Sequence, residues 1–156
     1  MARPQNRHEP DPVAQARRAF FESGRAPVGQ VPAAILQSWR RCVGLGLAVN
    51  ARPAIEPLDA PRLRALRERH EQLWQLARAE VEILATDASS TGSIVILTDA
   101  DGWILDAEGN AGFLDKAGRV ALMPGACWSE AQVGTNAIGT AIAEGAAVEV
   151  RGAEHY

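Results

Sequence analysis

The hydrophobic period of this chain changes near residue 92, and that change limits the folds open to it. Upstream, apolar residues recur at spacings of three and four behind helix-start signals. Downstream, Ser93 to Thr98 reads SIVILT, a β-branched run, then Asp99, Ala100, Asp101 and Gly102 form a turn, and Trp103 to Asp106 resumes as WILD. Helices followed by a hairpin, without regular strand–helix alternation, define an α+β class with N-terminal helices and a small antiparallel sheet. At 156 residues the chain has the size of one core-bearing domain, but 29 residues are alanine, so large core-builders are scarce.

Three helices are expected before the hairpin. Asp11 and Pro12 form a cap and first turn, Val13, Ala16 and Phe20 share a face, and Gly24 stops the helix. Pro32 opens a second helix with Ile35, Leu36, Trp39 and Val43 on one apolar face, ended by Gly44 and Gly46. Asp59 and Pro61 start the third, which meets no breaker until about Thr86. Its stripe of Leu63, Leu66, Leu73, Leu76, Ala77, Val81 and Leu84 keeps a heptad through His70. Such a helix, some 26 residues, is ~40 Å long and outruns the core this chain can supply. Part of the stripe, with Leu63, Leu66, Leu73, Leu76 and Leu84, is therefore expected to form a homodimer contact or signalling helix, the alternative being an ordinary amphipathic helix lying on its own sheet.

After the hairpin, Phe113 to Ala117 suits a short helical or loop element, a helix is expected from Ser129 or Thr135 to Glu144, and Ala147 to Arg151 alternates as a last strand. The organisation expected is a disordered tail and short helix over residues 1–30, a helix and linker over 31–58, and a long helix leading into the hairpin-bearing unit over 59–156.

Charge is uneven. Residues 1–78 carry 13 arginines against 7 acids, and residues 79–156 carry 3 basic groups against 12 acids. No aromatic or glycine-rich element interleaves the arginines, so solvated helix faces account for them better than a nucleic-acid surface. Apolar runs are too short to span a membrane, and two unpaired thiols in a chain of ordinary size suit a cytosolic compartment. Chemistry is excluded residue by residue: there is no nucleophile elbow, no phosphate loop, no ligand-spaced His or Cys pair, and Asp99 and Asp101 start no complete calcium loop. No enzyme activity, metal or cofactor is expected.

The stretch Pro124 to Thr140, PGACWSEAQVGTNAIGT, concentrates what remains. Trp128 is an aromatic wall beside Ser129 and Glu130, and Thr135 and Asn136 stand at a helix start, so a small-molecule pocket is one reading. In the other, Trp128 is a core plug, Glu130 an ion-pair or cap partner, and Thr135 and Asn136 simple caps. Residue chemistry leaves both open.

The residues QSWRRC at Gln37 to Cys42, GLGL after them, ILTDADGWIL, PGACWSEAQVGTNAIGTAI and the closing GAEHY together resemble the N-terminal sensor region of sigma-54-dependent, Fis-family bacterial activators of the acetoin-catabolism regulator type, over roughly Val31 to Tyr156. The resemblance implies a GAF-like domain preceded by helices, with a sheet of more strands than the three candidates present, so that the sheet looks incomplete. It also implies an AAA+ ATPase acting on sigma-54 RNA polymerase and a DNA-binding module outside these residues. On that reading a small effector shifts the sensor's conformational population, with Trp103, Trp128, Glu130, Thr135 and Asn136 as contact or pocket candidates. The alternative is an interaction module without ligand.

Overall fold

The computed structural model describes residues 11–25, 29–49 and 53–156. The expected tail over residues 1–10 and parts of the two linkers lie outside the described residues. Among those described, seven α-helices surround a two-stranded antiparallel sheet, an α+β fold.

Helix α1 (Pro12–Ser23) starts where Asp11 Oδ1 accepts from Val13 N at 3.0 Å and ends at Gly24. Helix α2 (Ala33–Gly44) buries Ile35, Ser38, Trp39 and Cys42, an i, i+3, i+4, i+7 face. The expected face is shifted by polar burial: Ser38 and Cys42 turn inward, and Val43 is exposed.

The single long helix is a correction. Helix α3 (Ala60–Arg69), capped as expected by Asp59 on Arg62 N, is separated at His70 from helix α4 (Glu71–Thr91), which runs on past Thr86. No proline or glycine causes the break. Side chains around it are pulled onto the hairpin instead: Arg67 Nε donates to Leu105 O at 2.8 Å, Trp74 Nε1 to Asp106 Oδ2 at 3.0 Å, and His70 Nε2 lies 3.5 Å from Asp99 Oδ2. The expected stripe divides accordingly. Leu66 and Val81 of the stripe are buried within the chain, as is Ala85 beside them, whereas Leu73, Leu76 and Leu84 of the stripe are exposed, as is Ile83 outside it.

Strand β1 (Ile94–Thr98) pairs with β2 (Ile104–Gly109), Ile94 opposite Gly109 and Ile96 opposite Ala107, with an irregularity between Leu97 and Thr98. The turn is held by Asp99, whose Oδ1 accepts from the N–H groups of Asp101 and Trp103. Residues 125–128 lie along the start of β2: Ile104 N donates to Ala126 O, Gly125 N to Ile104 O and Trp128 N to Gly102 O. Helix α4 covers one face of the hairpin.

Helix α5 (Ala111–Gly118) contains the expected Phe113–Ala117 segment. The helix expected up to Glu144 is two, α6 (Glu130–Val133) and α7 (Ala137–Glu144), separated by Gly134. At φ 79° Gly134 sits against Tyr156, whose Cβ would lie 2.5 Å from an added methyl group. Ala147 to Arg151 forms no strand. It is an extended segment that brings Val148 and Val150 against α1 and α2, ahead of a 3₁₀ turn at Gly152–Glu154. Alternation reads the same when an extended segment packs on helices instead of pairing.

The core here is Ala16, Val31, Ile35 and Trp39, packed on by Phe20, Phe21, Val148, Val150 and Tyr156. Trp39 is fully buried among both phenylalanine rings, and its Nε1 donates to Glu154 O at 2.8 Å. Trp39→Ala is expected to lower unfolding free energy by about 3–5 kcal/mol in urea titration, because it opens a cavity and orphans that carbonyl.

Candidate functional site

Two places gather the sequence candidates, and they differ in kind. The first is a filled polar joint between α2 and the α6–α7 pair. Glu130 begins α6 and is 7% exposed. Its carboxylate takes a bidentate pair from Arg41, Nε to Oε2 at 2.7 Å and Nη2 to Oε1 at 3.0 Å, while Arg41 Nη1 reaches Glu144 Oε1 at 2.7 Å. Ser38 donates to Glu130 Oε1 at 2.5 Å, and its oxygen lies 2.7 Å from Thr135 Oγ1 and 3.2 Å from Thr140 Oγ1.

Burial alone would push the Glu130 carboxyl up, but hydrogen bonds from Arg41, Ser38 and Thr140 with the Arg41 charge outweigh it, and its pKa is lowered. The hydrogen bond to Glu130, against the cost of burial, raises that of Arg41. Cys42, 3.7 Å from Thr135 Oγ1, has its thiol pushed up by burial.

Thr135 and Asn136 are fully buried beside this joint. Asn136 caps α7 through Oδ1 to Gly139 N at 2.9 Å and closes back on Gly134 O through Nδ2. The α7 backbone sits so near α6 that a Cβ at Gly139 would lie 2.5 Å from Glu130 N. The structure therefore brings Glu130, Thr135 and Asn136 together, and among the described residues no buried side-chain nitrogen or oxygen is left without a hydrogen-bond partner.

The second place is an open groove of about 830 Å³ between the Pro53–Pro57 segment and the chain after α5. Trp128 forms its wall, Ile55, Val120 and Met123 are apolar contributors, and Arg119 supplies a charge. Trp128 is fixed by Nε1 donating to Ala121 O at 2.9 Å. Ala121 has φ 57°, a left-handed conformation uncommon for alanine, at the lip of the groove. Of the five sequence candidates only Trp128 lines this groove. Trp103 is half-buried on the hairpin, bridged to Cys127.

Sequence reasoning missed Ser38, Arg41, Thr140 and Glu144. The signal was present: Ser38, Arg41 and Cys42 lie at i, i+3 and i+4 within the QSWRRC segment, and Glu130 in an apolar stretch needs a cation. Their partners, roughly 90 to 100 residues away, are not readable from spacing. The GAEHY end acts likewise by reaching back, with Tyr156 Oη donating to Leu47 O at 2.6 Å and Arg17 Nε donating to His155 O. Among the described residues, no group of three or more His, Cys, Asp and Glu could hold a metal, and no helix is long and apolar enough to cross a membrane.

The fold is similar to that of Escherichia coli DhaR(N), known from the crystal structure of a DhaR(N)–DhaL complex. The match has a TM-score of 0.69 at 21% identity, over 80% of this chain and 42% of that one. The family described as MimR, N-terminal domain, matches residues 9–156, and the chain belongs to that family. It is 38% identical over 125 residues to the acetoin catabolism regulatory protein of Cupriavidus necator, covering 80% of this chain and 19% of that protein. It is 30% identical over 148 residues to the propane 2-monooxygenase operon transcriptional activator MimR of Mycolicibacterium smegmatis, covering 94% and 24%. The chain spans about a fifth to a third of the length of the curated relatives it matches. These named relatives are transcriptional regulators, not enzymes.

Glu130→Gln keeps the shape and removes the charge, and is expected to cost on the order of 2 kcal/mol, below a fully buried pair because Arg41 is one-third exposed. Because Glu130 titrates lower folded than unfolded, its contribution is full above the unfolded value of about 4.3 and is lost as pH falls through the folded value. Urea midpoints between pH 3 and 6 should fall more steeply with acid in the parent chain than in Glu130→Gln.

Proposed function

We propose that this chain is the small-molecule sensor of a transcription activator, and that the Trp128 groove is where the effector binds. The observation that carries the reading is the contrast between the two sites. The Glu130 joint is closed and saturated, whereas the groove is open, mostly apolar, walled by a fixed tryptophan and provided with one cation, the composition of a small-ligand site. The joint then ties the sensor to its N-terminal helices, so a shift near Trp128 and Ser129 is transmitted through α6 to Arg41 and α2.

The relatives' names point to small oxygenated carbon compounds. One is an acetoin catabolism regulatory protein, and another is the transcriptional activator of a propane 2-monooxygenase operon. A groove with apolar walls and few polar groups suits such molecules. In this reading the sensor controls a AAA+ module acting on sigma-54 polymerase elsewhere in a longer regulator in the cytoplasm, and the exposed leucines of α4 join two copies. Those leucines equally support an interaction module that takes no ligand.

Acetoin and 2-propanol are the probes. Each is titrated into the 156-residue chain while its thermal midpoint and tryptophan emission are followed. The expected result is a saturable rise in midpoint with at least one of them, reaching about 2.7 kcal/mol of stabilisation at a hundredfold excess over Kd, and absent in Val120→Arg, an exposed groove position. Unchanged midpoints with both, in a folded chain, favour the interaction module.

A further inference from the structure

We propose that Ala121 and Trp128 form a latch. The indole N–H of Trp128 holds the turn after α5 in a left-handed conformation that alanine disfavours, and an effector acts on the sensor by releasing it. The proposal rests on the groove reading above for its effector and adds the part that moves.

Three helices of this chain end in the same way. After α2, Leu47 N donates to Cys42 O at 3.2 Å and Gly46 N to Val43 O at 3.0 Å. After α7, Ala146 N donates to Ala141 O and Gly145 N to Ile142 O, both at 3.3 Å. After α5, Leu122 N donates to Ala117 O at 2.9 Å and Ala121 N to Gly118 O at 3.0 Å. This pair of bonds needs a left-handed residue where Gly46, Gly145 and Ala121 stand, and glycine takes that conformation freely. The first two are glycines at φ 72° and 62°, although an added methyl group would meet nothing within 4 Å at either. Gly24 and Gly92 are left-handed at the ends of α1 and α4 as well. Among these ends only that of α5 carries alanine, and among the described residues Ala121 is the one non-glycine with a positive φ.

What sets the α5 end apart is its carbonyl, which accepts from Trp128 Nε1 at 2.9 Å. A left-handed alanine costs a factor of roughly five or more in population, and a hydrogen bond returns about two- to tenfold. The two are of one size, so the turn is poised and the indole bond decides it. Gly118 to Ala121, with Met123 and Trp128, make six of the ten described residues that line the groove. An occupant that takes the indole N–H, or displaces the ring, therefore releases one side of the groove. Trp128 then moves directly ahead of Ser129, the N-cap of α6, and of Glu130.

The test is a double-mutant cycle on the 156-residue chain, Ala121→Gly against Trp128→Phe, read as unfolding equilibrium constants from urea titration. Trp128→Tyr serves as a second ring without the indole N–H. With Trp128 present, Ala121→Gly is expected to lower the unfolding constant about three- to tenfold, the strain relieved less the freedom glycine gains when unfolded. In the Trp128→Phe background it should gain less than about twofold, because residue 121 has already left the left-handed region. Amide exchange gives the local reading: Trp128→Phe should expose the Ala121 and Leu122 N–H groups and leave those of Gly145 and Ala146 as they were.

Equal gains in both backgrounds, no gain in either, or unchanged exchange at Ala121 and Leu122 overturns the latch. Its use by an effector is read with acetoin or 2-propanol, whichever raises the thermal midpoint. Kd should be about three- to tenfold weaker in Ala121→Gly, whose turn stays left-handed without strain. An equal Kd overturns that use while the latch stands. Binding by neither probe overturns the groove reading and that use with it, and the latch is still decided by the cycle.

Discussion

A carboxylate with little access to water has to be held by charge and hydrogen bonds, and Glu130 organises much of this structure for that reason. Its bidentate partner Arg41 comes from α2, its serine donor from the same helix, and its threonine donor from α7, so three elements remote in sequence are drawn to one point. Removing Arg41 leaves the buried Glu130 carboxylate without its counter-charge, which is costly in a way that losing an exposed ion pair is not, whereas removing Glu130 leaves Arg41 its second partner, Glu144. The arrangement locks α2 against the α6–α7 corner more than it adds net stability.

Around this joint the chain closes on itself. The buried Trp39 lies on the same helix as Arg41 and takes its acceptor from Glu154, while Tyr156 reaches Leu47 and crowds Gly134. The N-terminal helices are therefore fastened to the end of the described chain. The hairpin with α4 and α5 forms the other part, and residues 125–130 run directly from the edge of β2 into α6. Trp128 lies in that short run, between groove and joint. A molecule pressing on its ring acts three residues or fewer from the carboxylate that holds the N-terminal helices, which gives a sensing role a physical route.

Legibility in the sequence followed the range of the interactions. Caps at Asp11 and Asp59 and the hairpin turn at Asp99 to Gly102 were readable because each is decided within a few residues. The cluster from Pro124 to Thr140 was readable as unusual, but not as two separate places. Trp128 turns to the groove, while Glu130, Thr135 and Asn136 turn inward, and only the backbone path through α6 separates them.

The sequence by itself determined the α+β class, the helix starts, the hairpin and the family resemblance, since these depend on local period, capping groups and residue order. Tertiary structure alone decided that the long helix breaks at His70, that Val148 and Val150 pack instead of pairing, and that Ser38 and Arg41 belong to Glu130. In each case a contact across dozens of residues outweighs a local preference worth a few tenths of a kcal/mol to about 1 kcal/mol. No spacing pattern in a single chain records which distant side chain will supply that contact.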